Sequence, residues 1–286
     1  MKLVVPYDRS LFERLRNRTL CVRVNDPRET AAAALAARVD NSLSCVLCEL
    51  DIPLERFFVE PDWRGIPIFL KVPSAGNYRN LSKLLPALKS LDLHVYLPCE
   101  GRNLISARQL SSVGINTGII IDENAENDWH ALAEIMTYAL IGLMPHAPIE
   151  PFFTMANALG KGLRGENWGR VYFDDPSEYL HLDAKGRVAL SHRELLAGDF
   201  IADNLAVLDS VEIRKAVDDR VASWEKLFLE NNFCSRCSGW KLCRGKFSEG
   251  TKKSDTCKWF FDEMTAVVEQ YHNRPGKVRQ GKPWPQ

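Results

Sequence analysis

Apolar residues over the first 230 positions fall into short continuous runs, separated by longer stretches where they recur every three or four residues. The runs Leu20–Val24, Cys45–Leu50, Pro67–Val72, Leu93–Leu97 and Thr117–Ile121 are rich in Val, Ile and Leu. Several are apolar at consecutive positions, the mark of strands covered on both faces. Between them, Leu81, Leu84, Leu85, Leu88 and Leu91 share one helical face, with Pro86 expected to kink or shorten that helix. Leu132, Ile135, Met136, Ala139, Leu140 and Leu143 form a second helical stripe, with Asn127 as its expected N-cap and Asp128 in its first turn. Alternation of strand and helix predicts an α/β protein with a parallel sheet, open or curved into a partial barrel.

The pattern changes near Tyr172. Residues Tyr179–Asp183 and Val188–Leu190 predict a hairpin, with Gly186 at the turn position that needs positive φ. A helix from about Val211 to Glu230 follows, then a cysteine-rich loop, then a last helix from about Ser254. That helix carries Cys257, Phe260, Phe261, Met264, Val267, Val268 and Tyr271 on one stripe. The end of the chain from Arg274 has three prolines and no periodicity, which predicts disorder. The resulting division is an α/β domain over residues 1–172, a cysteine-bearing domain over 173–273 and a tail over 274–286.

Charge narrows the function classes. Lys plus Arg and Asp plus Glu are both 37, so the chain lacks the basic excess of a nucleic-acid or anionic-membrane binder. From Cys234 onward, however, 11 basic residues face 5 acidic ones, and the remainder is correspondingly acidic. The apolar stretch Met136–Met144 stops at Pro145, short of the ~20 residues a membrane span needs. The run after Met1 is too short for a signal peptide, so a cytoplasmic location is expected. There, the 8 cysteines read as metal ligands or buried thiols in preference to disulfides.

Half of those cysteines are concentrated in Cys234-x2-Cys237-x5-Cys243-x13-Cys257. Thiolates are soft ligands, and four around one site suit an iron–sulfur cluster or Zn²⁺. The short first gap lets two sulfurs turn inward from one tight loop, and Gly239 and Gly245 let that loop wrap a guest. Arg236, Lys241, Arg244, Lys246, Lys252 and Lys253 would offset the negative charge of a four-thiolate centre. Buried free thiols are the bland alternative, and a polar, Lys-rich loop makes poor core.

This loop resembles the SPASM domain, a C-terminal extension of many radical SAM enzymes that modify peptides and proteins. The stretch Leu182-Asp-Ala-Lys-Gly-Arg-Val-Ala-Leu is similar to the family's hairpin, and Ala202-Asp-Asn-Leu is similar to the stretch that follows it. The resemblance is best over about residues 175–270, and implies that the preceding region is a degenerate form of the partial (β/α)6 barrel of radical SAM proteins. It further implies that Cys234, Cys237, Cys243 and Cys257 ligate one [4Fe–4S] cluster, the outer of the family's two auxiliary clusters. The inner cluster's cysteines are replaced by Ser191 and Phe247. The C-x3-C-x2-C triad of radical SAM chemistry is missing: Asn25-Asp-Pro-Arg-Glu-Thr follows the strand Leu20–Val24, and the glycine-rich SAM-binding run is absent too. No SAM binding or cleavage by this chain alone is expected. The pattern is most similar to cluster-poor SPASM proteins that accompany a full radical SAM/SPASM enzyme. The resemblance thus implies such an enzyme and a peptide substrate as partners, with substrate binding or electron relay as the role. A zinc protein whose four cysteines only staple the C-terminal fold stays open. So does a cluster-free enzyme at the barrel mouth, for which no nucleophile–base pair stands out.

Weaker signals read blandly. Cys21, Cys45, Cys48 and Cys99 sit at or beside apolar strands and read as core thiols. Gly160-x-Gly162-x-x-Gly165 matches the dinucleotide fingerprint by letters, but Thr154–Leu159 is not a strand and Asn167-Trp-Gly is not expected to open a helix. His181 and His192 bracket the hairpin and read as surface or satisfied histidines that could approach a ligand. Asp122–Glu126 reads as a solvated loop, although it follows a strand where α/β sheets place ligands.

Overall fold

A computed structural model of the chain describes residues 1–121, 127–161, 167–230, 233–247 and 254–274. In chain order the elements are β1 (Lys2–Pro6), α1 (Arg9–Arg14), β2 (Thr19–Val24), α2 (Thr30–Asp40), β3 (Ser42–Glu49) and β4 (Pro67–Lys71). Next come α3 (Tyr78–Lys89), β5 (Asp92–Pro98), α4 (Gly101–Ser112), β6 (Asn116–Ile120), α5 (Trp129–Ile141), β7 (Ile149–Glu150), α6 (Phe152–Lys161) and α7 (Trp168–Val171). The chain continues through β8 (Tyr179–Leu182), β9 (Val188–Ala189), α8 (His192–Ala197), α9 (Val211–Glu230), α10 (Trp240–Cys243) and α11 (Ser254–Asn273). The fold class is α/β with mostly parallel strands, as the apolar pattern predicts.

Two compact units each draw on two segments: Met1–Leu93 with Tyr172–Ala222, and His94–Val171 with the chain from Ser223. The first unit's strands run in the order β4-β3-β2-β1-β8-β9. Its pairs are parallel, except that β8 and β9 form an antiparallel hairpin. In register, Val4 lies between Cys21 and His181, Arg23 faces Leu47, and Glu49 faces Lys71. The second unit's strands are β7-β6-β5, all parallel.

All five strands expected from apolar runs are present within a few residues of their bounds. Leu20, Cys21 and Val22 are buried in succession, as are Leu93 through Leu97, so both faces of these strands are covered. The short strands β1 and β7 were not legible as strands. Leu3, Val4 and Val5 of β1 are buried, and β2 and β8 pair with that strand on its two edges.

Other expectations are corrected. Helix α3 is not shortened at Pro86 but runs on to Lys89. Proline there removes one late hydrogen bond, and buried Leu81 and Leu88 hold the helix on either side. The cap of α5 is Asp128, not Asn127: its carboxylate accepts the Ala131 N–H at 3.0 Å. Asn167-Trp-Gly does open a helix, the single turn α7, held by the wholly buried Trp168 indole. The segment before the glycines is the helix α6, so the strand a dinucleotide fingerprint requires is still missing. Gly162, Gly165, the Asp122–Glu126 cluster and residues 275–286 lie outside the described residues.

The hairpin turn has Gly186 at φ +86°. The Asp183 carboxylate accepts the N–H groups of Lys185 and Arg187 at 3.0 and 2.8 Å, which closes the turn. Strand β8 pairs in parallel with β1, so the hairpin belongs to the first unit, whereas the cysteine loop and α11 belong to the second. Among the described residues no helix is long and apolar enough to cross a membrane.

Candidate metal centre

The four cysteines of the C-terminal motif line one small pocket, partly open to solvent, together with Phe233, Trp240, Gly245, Lys258 and Phe261. Local backbone chemistry brings them there. Cys234 opens a 3-10 turn, and the N–H of Cys237 closes on the Cys234 carbonyl at 3.2 Å. The next N–H groups close in turn: Trp240 on the Cys237 carbonyl at 3.2 Å, and Cys243 on that of Gly239 at 2.9 Å. Arg244 and Gly245 then take left-handed conformations that reverse the chain. Cys257 approaches from elsewhere, in the first turn of α11.

Two contacts lock the loop onto α11. The Ser238 hydroxyl reaches the Phe261 carbonyl at 3.1 Å and the Asp262 carboxylate at 2.8 Å. Gly239 lies so close to Phe261 that a Cβ there would stand 2.3 Å from the ring. Behind them is an aromatic core: Phe261 meets Trp168 at 5.9 Å, and Phe260 meets Trp129 at 5.2 Å. On the other flank, Trp240 packs on Phe228 at 4.8 Å, and the Arg244 guanidinium lies over Trp224 at 4.8 Å.

The thiols feel one another. Burial pushes the Cys243 thiol up to about 12 and the Cys257 thiol up to about 11, and raises that of Cys237, with neighbouring sulfurs adding to each rise. Backbone N–H groups of Gly239, Phe247 and Lys258 oppose this by hydrogen-bonding the sulfurs of Cys237, Cys243 and Cys257. Lys258 adds a positive charge near Cys237, although it is engaged by Asp262. These are the features a four-thiolate centre requires: soft donors, amide hydrogen bonds to sulfur, an apolar rim and a nearby cation. As they stand, the described residues contain no group of three or more His, Cys, Asp or Glu side chains arranged to hold a metal ion. The four donors share one pocket and are of suitable chemistry, but binding would require the sulfurs to close on their guest.

The remaining expected positions are elsewhere. Cys21, Cys45 and Cys48 are buried in β2 and β3, and Cys99 is half-buried after β5. Cys21 and Cys45 are register partners in thiol contact, and burial raises the Cys45 pKa. Ser191, where the SPASM family places an inner-cluster cysteine, caps α8 by accepting the Glu194 N–H at 3.2 Å. Phe247, the second such position, is buried edge-on against Trp168 at 5.2 Å and Trp129 at 5.4 Å. Both positions serve the fold. His181 is no surface residue: it is buried, with Nε2 2.8 Å from the Phe173 carbonyl, and its ring stacks 5.9 Å from that of half-buried His192. No family model matches this chain, and no curated protein or solved structure matches it either.

Proposed function

We propose that this chain is a cytoplasmic iron–sulfur accessory protein that holds one [4Fe–4S] cluster on Cys234, Cys237, Cys243 and Cys257. In this reading it acts beside a radical SAM/SPASM enzyme in peptide or protein modification, with the α/β region as a degenerate radical SAM-like barrel. The observation that carries it is the meeting of all four cysteines in one pocket, although 13 residues separate the last from the third. The resemblance of that spacing to the SPASM outer cluster favours iron–sulfur over zinc. A cluster with four thiolate ligands supplies electron relay or a rigid scaffold, since it has no open coordination position. Either role calls for a partner. The basic segment from Cys234 onward would steer docking onto an acidic face, with an affinity that falls as salt rises.

Anaerobic purification tests the centre. Brown protein with charge-transfer absorption and about four irons per chain is expected. Colourless protein with one zinc per chain would replace the cluster with a structural zinc site. Co-purification with a radical SAM/SPASM enzyme and its peptide, at low and high salt, tests the partnership. Absence of any complex at low salt would end it.

A further inference from the structure

A second polar cluster lies in the first unit, at the carboxyl ends of its parallel strands, where α/β sheets place ligands. Strand register puts its members on one sheet face. Val4 faces both Cys21 and His181, and Arg23 lies two residues beyond Cys21. Leu47 faces Arg23, and Glu49, two residues further, faces Lys71. Arg23, Glu49 and Lys71 thus rise from the ends of β2, β3 and β4 above the same face as His181.

Arg23 is the anomaly. Its guanidinium is largely withdrawn from water, and burial lowers its pKa to about 10. Among the described residues it nevertheless pairs with no carboxylate. One terminal nitrogen donates to the Leu182 carbonyl at 3.1 Å, and Nε is buried without a partner. The opposing charge that acts on it, Glu49, is engaged by Lys71. Asp174 accepts the backbone N–H of His192 at 3.0 Å and stands 3.7 Å from His181 Nε2. A second orphan accompanies the first: His181 is 2% exposed and its Nδ1 has no partner among the described residues. With Nε2 donating to Phe173, that Nδ1 is a bare acceptor, which suits an O–H or N–H of a ligand and not the oxyanion itself. Burial, with the Arg23 charge adding to it, depresses both His181, to about 3, and His192. Withdrawing an arginine from water without an anion is costly, and a guanidinium with only one of its N–H groups engaged by a carbonyl keeps donors of the kind that recognise oxyanions.

We propose that Arg23 anchors a ligand oxyanion, a carboxylate or a phosphoryl group, at the carboxyl ends of β2 and β8, with His181 and His192 beside it. This site is separate from the cysteine centre and does not depend on the proposed cluster. The full chain is titrated at constant ionic strength with inorganic phosphate and, separately, with acetate, while the ring resonances of His181 and His192 are followed by NMR. Saturable shifts in both rings are expected with at least one anion, and the tighter of the two assigns the group as phosphoryl or carboxylate. Arg23→Met should weaken binding at least 10-fold, and Arg23→Lys, which keeps the charge but loses the fork, by a smaller factor. The same anion should protect Arg23 of the unaltered chain from phenylglyoxal, a readout that survives misfolding of either variant. No saturable shift with either anion, a shift reproduced by chloride, or Arg23 modified equally fast with and without anion would overturn the proposal.

Discussion

Gly239→Ala isolates the contact that joins the cysteine loop to α11. The backbone at this position, φ −83° and ψ 2°, suits alanine, so the whole cost is steric. The added methyl would stand 2.3 Å from Cγ and Cδ1 of Phe261 and 2.5 Å from its Cβ. That ring cannot yield, because it is 1% exposed and edge-packed against Trp168 and Phe260. The loop must lift instead, stretching the two Ser238 contacts to Phe261 and Asp262. Overpacking costs about 1–3 kcal/mol. A weakened hydrogen bond adds about 0.5–1.5 kcal/mol. Together these amount to a fall in Tm of roughly 5–15 °C for a domain of this size. Thermal unfolding by circular dichroism, with and without metal, measures the first effect, and iron per chain measures the second. Both should fall, because lifting the loop separates Cys237 and Cys243 from Cys257. Lys241→Ala, at an exposed position of the same loop, should change neither. A Gly239→Ala protein within about 0.5 kcal/mol of the parent and fully loaded with metal would refute the argument.

Replacing Cys234, Cys237, Cys243 or Cys257 by Ala should strip iron and loosen α11, while Cys45→Ala and Cys48→Ala leave iron content unchanged; iron analysis of the six proteins decides. The raised pKa values of Cys243 and Cys257 mean that loading must expel protons, so metal affinity should fall as pH falls; in the metal-free chain the same thiols favour the fold below about pH 8.5, and that contribution is lost as pH rises towards 11–12. Burial depresses His94 to about 4 and His181 to about 3, so the unfolded chain binds more protons below about pH 6.5; stability is complete above that pH and falls towards pH 4, read as a lower urea midpoint at pH 5 than at pH 7.5, with His94→Gln flattening the profile. With reductant and SAM, the purified chain should release no 5′-deoxyadenosine above blank; steady release would sink the accessory reading.

Local pattern carried much of this fold. The apolar runs located β2 to β6, and the stripe Phe260, Phe261, Met264, Val267, Val268 marked the buried face of α11. What stayed hidden was set by partners distant in sequence. Strand β1 is short, and β8 lies on its far edge, a pairing no local window records. The cap of α5 fell one residue later than expected because two adjacent residues, Asn127 and Asp128, can both cap and only geometry selects between them. At the cysteine site, spacing named the sulfurs, but the need for glycine at 239 comes from Phe261, 22 residues away. Arg23 gave no signal, since a single arginine near the end of an apolar run reads as a strand boundary. Its meaning rests on what it fails to pair with.

The insertion of β8 beside β1 has a consequence for synthesis on the ribosome. Strand β1 leaves the exit tunnel ahead of both its neighbours, and β2 can cover one of its edges soon afterwards. Its other edge must wait for residues 179–181, which pair with residues 2–4. At about 5–20 residues per second, translation leaves that edge without its strand for roughly ten to thirty seconds. An apolar strand with one bare edge is a template for pairing with another nascent chain. Chaperone capture of the first 170 or so residues, and aggregation of fragments that end before Tyr179, would follow from this ordering alone. The second unit waits longer still, since it needs the segment from Ser223, so neither unit can close until most of the chain has been made.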